Sequence, residues 1–297
     1  MNNTSCKTQI FFQMIAGKIL SFPLFTALLA LWGLCANAQS TPVPAACLRG
    51  VYQLDYKLDS AVVTPKSVQM ILRISNGVSC FQSTGKHIFD SVYVSLKGLA
   101  PQERMQKALN ATQKAVKNEL RYTILKEPTK NLVSYHDIIG SLDYQYQEPK
   151  PQFDWKITMN KKTIAGHACQ QAYTVFGGRI WETWFTREIP VSEGPYKFYG
   201  LPGLIVQVQD THKNYVFTLL NLDTNPVPFD ISVNSGTALS ANSSALIIPK
   251  TKFEQAKLND DLTLLDRMSA SGNQIPESAR ANYLGKLKRR NNPLELK

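Results

Sequence analysis

The sequence predicts a mainly β (α+β) fold: a curved or half-barrel antiparallel sheet of about ten strands with two packed helices. Three observations carry this. Short segments rich in β-formers recur along most of the chain. Only two stretches carry an apolar period of three to four. The connections are short and turn-like, which favours antiparallel neighbours. Composition agrees. The 297 residues are 43% hydrophobic and 19% charged, with 16 Gly, 16 Pro and no short repeat, so collagen-like, coiled-coil and wholly disordered classes fall away.

The first 38 residues read as a secretory signal peptide. Lys7 and Lys18 precede an apolar run over 19–34, and Ala36-Asn37-Ala38 offers the small-x-small cleavage pattern. The run is short for a membrane span. Later segments are less apolar, so no transmembrane segment is expected in the mature chain. Removing the two lysines lowers the formal charge from +11 to +9. That balance could suit anionic partners, but solubility is the favoured explanation, and no nucleic acid is expected for an exported chain. Cys47, Cys80 and Cys169 remain. Export permits a disulfide. If one forms, Cys80 and Cys169 are the pair and Cys47 stays free.

The strands are expected at 51–56, 68–75, 78–83, 92–96, 122–125, 132–136, 143–146, 153–159, 168–176, 179–186, 204–209 and 215–221, some of them marginal. Asn76-Gly77 and Gly177-Gly178 mark hairpins. Residues 101–120 change period, with Pro101 at a first helical turn. After Pro228 the chain is Ser-, Asn- and Ala-rich to Ala245 and reads as a loop with one edge strand. A second helix begins at Thr251, where Thr251-x-x-Glu254 has capping-box spacing, and Gly272 ends it. The domains are therefore 1–38 signal peptide, 39–275 one β-rich domain, and 276–297 a basic, partly disordered tail holding Lys286, Lys288, Arg289 and Arg290.

Gly200-Leu201-Pro202-Gly203-Leu204-Ile205 spells GLPGLI. Asp154-Trp155-Lys156-Ile157, Cys169-Gln170-Gln171-Ala172, the aromatic run 178–186 and Asn291-Asn292-Pro293-Leu294-Glu295-Leu296 accompany it. Together they resemble the GLPGLI family of exported proteins, found mostly in Bacteroidetes-type Gram-negative bacteria and without an assigned activity. The chain departs from the family at His167, usually aromatic, and at Arg187, usually Pro. The resemblance implies export to the periplasm, the outer membrane or beyond. Read physically, Leu-Pro-Gly-Leu is a type II turn candidate. It should deliver an interior strand with Leu204, Val206 and Val208 on one face and Ile205 on the other.

No Gly-x-Ser-x-Gly, phosphate loop or His-Glu-x-x-His is present. His167-x-Cys169 supplies two ligands where a metal site needs three or four, so neither metal nor cofactor is expected. Glu182, Glu188, Asp210 and Asp223 could pair as hydrolase carboxylates, but no spacing marks them. Arg179 and Trp181, with Tyr196 and Phe198 on the loop before the signature, are the candidate ligand contacts: aromatic surface beside one cation suits an apolar body with an anionic end. Alternation carried through the turn would place Tyr173, Val175, Arg179 and Trp181 on one face. The function expected is a non-enzymatic envelope protein that binds or chaperones a lipid, a hydrophobic peptide or an outer-membrane client. The alternatives are a secreted hydrolase and an accessory module of an outer-membrane transporter.

Overall fold

The computed structural model describes residues 47–115, 119–226 and 245–296. The expected signal peptide and most of the Ser/Asn/Ala-rich loop lie outside the described residues. The described chain runs β1 (Leu48–Tyr56), β2 (Lys66–Ser75), β3 (Val78–Ser83), α1 (Thr84–Ser95), α2 (Pro101–Ala111), β4 (Thr123–Glu127), β5 (Leu132–Ile139) and β6 (Leu142–Pro149). It continues through β7 (Lys156–Ile164), β8 (His167–Phe176), β9 (Arg179–Thr186), β10 (Leu204–Asp210), β11 (Tyr215–Asp223), β12 (Leu246–Ile247), α3 (Lys250–Ala270) and α4 (Glu277–Lys288). All twelve strands join one sheet in the order β12-β6-β5-β4-β3-β2-β1-β11-β10-β9-β8-β7. Every pairing is antiparallel except β12 with β6.

The mainly β class holds, and the details differ where local signals mislead. Residues 92–96 are not a strand but the end of α1. Val92-Tyr93-Val94 has β propensity, yet Ile88, Phe89, Val92 and Tyr93 fall at helical spacing, and Ser83 accepts the Lys86 N–H at 3.2 Å as N-cap. The helix expected over 101–120 stops at Ala111. α3 begins one residue before Thr251, with Pro249 at the cap and no side-chain cap hydrogen bond, so the capping box is not formed. Residues 277–288 form α4 where a partly disordered tail was expected. Cys47, Cys80 and Cys169 are all free; Cys80 and Cys169 sit on β3 and β8, far apart in strand order, and do not pair.

Hairpin geometry corrects the expected faces. Gly177 and Gly178 both have positive φ and make a two-residue turn, with Phe176 opposite Arg179 and Thr174 opposite Trp181. Opposed residues share a face, so parity flips across such a turn. Arg179 and Trp181 therefore share the buried face with Thr174 and Phe176, while Tyr173 and Val175 lie on the other with Ile180 and Glu182. In β10 the ladder slips between Ile205 and Gln207. The bulge puts Ile205 and Val208, opposite Phe185 and Thr183, on the same face instead of opposite ones.

One connection dictates the curl of the sheet. β6 and β7 stand near opposite ends of the strand order, about 48 Å apart in a flat sheet. Residues 150–155 alone join them and reach about 25 Å at most. The sheet must bend until its ends approach. The β9–β10 loop, 187–203, fills the interior so formed: Ile189, Tyr196, Phe198 and Leu201 join the same apolar cluster as Tyr52, Leu72, Phe81, Trp181 and Phe217.

The signature ends this loop. Gly203 N–H donates to Leu201 O at 2.8 Å and Leu204 N–H to Ile189 O at 3.0 Å. This is a three-residue γ-turn about Pro202, not the expected type II turn. Gly203 has φ +149°, and a Cβ there would lie 2.0 Å from the Thr186 carbonyl oxygen. Two backbone segments touch through the missing side chain. At Gly166, φ is +82° and nothing lies within 4 Å. Gly166→Ala should therefore cost only the positive-φ term, roughly 1 kcal/mol. Gly203→Ala should cost visibly more, because backbone must move. Thermal melting of the two variants checks this; equal shifts would contradict the contact.

Candidate functional site

The interior is pinned by three buried cations. Lys126 on β4 is fully buried and pairs with Glu193; its ammonium also donates to Gly194 O and Phe198 O, both at 3.0 Å. Ser79 holds the same Glu193 at 3.1 Å. Burial draws the Lys126 ammonium below its usual range, against the pull of Glu193. Lys197, in the loop itself, is fully buried and meets Glu148 and Glu295, the latter at 2.6 Å.

Arg179 is the third. Its guanidinium donates to Asp210 Oδ2 at 3.1 Å, Leu294 O at 3.0 Å, Asn292 Oδ1 at 2.5 Å and Pro293 O at 2.6 Å. A planar fork of five donors fits four fixed acceptors, which lysine could not do. It clamps the C-terminal segment against the sheet. Tyr215 Oη donates to Asn292 O at 2.6 Å, Asn292 Nδ2 to Lys57 O at 2.6 Å, and Leu296 N–H to Gly177 O at 2.7 Å. Gly177 is needed here too, since a Cβ would lie 3.0 Å from Glu295 Cα.

The clamped segment completes a cavity of about 400 Å³. Its wall is Tyr122, Tyr135, Tyr146, Tyr196 and Tyr215, faced by Phe253 and Leu258 of α3, Leu287 of α4, and Pro293 and Leu294. Tyr135 stacks on Tyr146 at 5.0 Å, and Phe253 meets Tyr146 edge-on at 5.1 Å. Tyr196 stands at φ +53°, uncommon for an aromatic residue. It is held there by its hydroxyl, which donates to Glu295 at 2.5 Å, and by Tyr122 edge-on at 5.7 Å. The Tyr122 hydroxyl is buried without a hydrogen-bond partner among the described residues. At the polar end Lys250 donates to Glu295 at 2.7 Å. Burial alone would raise the Glu295 carboxyl, but Lys197, Lys250 and Tyr196 outweigh it and hold it below the ordinary glutamate value of 4.5.

Of the four expected ligand contacts, Tyr196 lines this cavity; Arg179, Trp181 and Phe198 do not. Trp181 is wholly buried, donates to Phe176 O at 2.9 Å and packs on Phe198 at 4.8 Å. These residues form the layer that carries the site. Trp184 faces the opposite side under the Lys162 ammonium, 4.1 Å from its ring. The four carboxylates considered for hydrolysis are scattered: Glu182 accepts from Gln171, Trp184 and Gln209, Glu188 pairs with His167, Asp210 with Arg179 and Asp223 with Arg49. None of them lines the cavity. Sequence reasoning missed the tyrosines of β5 and β6 and Phe253, whose convergence depends on the curl. Glu295 was visible only as part of the tail motif.

A family model described as a protein of unknown function (Porph_ging) matches residues 177–207, from the glycine turn through the signature into β10. No curated protein matches the sequence. Two solved structures of PNGF-II, in C2 and P21 space groups, are similar, with TM-scores of 0.51 and 0.50 and identities of 11% and 12%. Each similarity covers 73% of this chain and 34% of the other. The chain thus spans about a third of the solved chains it matches, and at this identity the likeness is one of fold alone. Among the described residues no helix is long and apolar enough to cross a membrane.

Two outcomes follow from the clamp. Arg179→Ala leaves Asp210 buried and unpaired and should cost about 3–5 kcal/mol, with protease cleavage appearing near the C-terminus. Arg179→Lys should rescue it only in part. Glu295, with its lowered value, stabilises the fold above pH 4.5 and ceases to do so as pH falls through that lowered value. Glu295→Gln should therefore be less stable at neutral pH and show a shallower loss of stability in acid, read by melting across pH 3 to 7.

Proposed function

We propose that this is a non-catalytic binding protein for an apolar or amphipathic ligand, of the GLPGLI type and exported to the cell envelope by its signal peptide. The tyrosine-lined cavity is the observation that carries the reading. Its volume falls within the range of about 300–1,000 Å³ for ligand pockets, and mostly aromatic and aliphatic walls with a few fixed polar groups are their usual chemistry.

The sequence of charged, apolar and cleavage regions over 1–38 supports export. An acyl chain or an extended hydrophobic peptide segment suits the cavity. A ligand would rest on rigid walls, because Tyr196, Tyr146 and the tail are fixed by Lys197 and Glu295.

Native mass spectrometry of the protein isolated from its own envelope fraction should show a bound lipid or peptide. Leu258→Trp, on the exposed α3 side of the cavity, should leave the melting point nearly unchanged and remove that mass. A ligand-free mass for the unaltered chain, together with no uptake of added amphiphiles, would overturn the reading.

A further inference from the structure

A second pocket, of about 250 Å³, opens beside the cavity and shares Leu58, Glu119, Leu287 and Arg290 with it. It differs in charge. Lys57, Lys66, Lys286, Arg289 and Arg290 line it against only two carboxylates, Asp59 and Glu119. Three of the four basic residues that the sequence suggested as a solvated tail are therefore gathered here by α4 and the turn after it.

The existing ion pairs do not use up this charge. Glu119 is taken by Lys66 and by Arg290 at 2.7 Å, and Asp59 lies 3.6 Å from Arg289. The ammoniums of Lys57 and Lys286 have no acidic partner among the described residues. In the cavity, by contrast, Lys250 is met by Glu295 and Lys257 by Asp137. The uncompensated positive charge thus lies at one end of a mainly apolar chamber whose own two lysines, Lys250 and Lys257, are paired.

We infer that the two pockets form one bipartite site for an anionic amphiphile, with the apolar chain among the tyrosines and a phosphate or carboxylate head among Lys57, Lys286 and Arg289. The assignment rests on the binding reading above and adds the charge and direction of the ligand. Arg290 stands at the junction, bonded to Glu119 and, at 3.2 Å, to Asp261, and fixes the partition between the two halves. Separated lysines draw an anionic head by charge, whereas the chain supplies the larger burial term.

The test uses the full chain and three probes below their micelle concentrations: lysophosphatidic acid, the monoacylglycerol of the same chain, and glycerol phosphate. Lysophosphatidic acid should bind about tenfold more tightly than the monoacylglycerol, and glycerol phosphate should not bind detectably. The double variant Lys57→Gln, Lys286→Gln should lose that advantage, keep its affinity for the monoacylglycerol and keep its melting point. Added salt should weaken only the anionic ligand. Equal affinity for the two amphiphiles would overturn the head-group assignment while leaving the cavity reading intact. Glycerol phosphate binding as tightly as lysophosphatidic acid would reduce the site to a free-phosphate pocket and overturn it as well. Failure of both amphiphiles would overturn the cavity reading itself.

Discussion

A six-residue connection ties together two strands from opposite ends of a twelve-strand sheet, and the rest of the structure answers to that constraint. The sheet has to curl, and a curled sheet has an interior. Side chains from the strands alone do not fill it. The β9–β10 loop and the C-terminal segment enter, bringing backbone polar groups that need partners away from water. Lys126 and Arg179 provide some of them, and Lys197 ties the loop to the tail through Glu295. Each is buried, and each is matched to carboxylates and, for Lys126 and Arg179, to carbonyls. Cations in such a place are costly unless fully paired, so they define where the loop and tail can sit as much as they strengthen the fold.

The tyrosine-lined cavity is what this filling leaves over. Loop and tail meet at Glu295, which joins Tyr196 and Lys197 of the loop to Lys250 of α3. The same contacts hold Tyr196 in its unusual backbone conformation. Stability and site are thus built from one network. A substitution in the clamp reaches the cavity without touching a ligand, because the tail forms one of its walls.

Much of the fold was legible because hairpin signals are local. Asn76-Gly77 and Gly177-Gly178 specify their turns by positive φ, and the strands around them follow. The curl was legible only as a general expectation, since it arises from a connection whose partners are ten strand positions apart. Face assignments failed at two places for concrete reasons: a two-residue turn inverts parity, and the bulge in β10 shifts it again. α1 was hidden by the β propensity of Val92-Tyr93-Val94. For the site, Arg179, Trp181 and Phe198 were singled out by type, and type alone cannot tell a clamp or a core indole from a ligand contact. Tyr196 was found for its position in the loop. The other tyrosines gave no signal, because alternation marks a buried face and not the emptiness in front of it.

The central claim is that the loop before the signature and the C-terminal segment are structural fillings of the curled sheet. Hydrogen–deuterium exchange of the intact chain tests it most directly. The N–H groups of Asn292, Leu296 and Ile205 donate to Leu58, Gly177 and Glu193 carbonyls. The account predicts that these amides exchange as slowly as those of β1 and β11 in the sheet interior, through opening of the whole domain. Exchange of residues 292–296 at the rate of an exposed terminus, with β1 and β11 still protected, would contradict it.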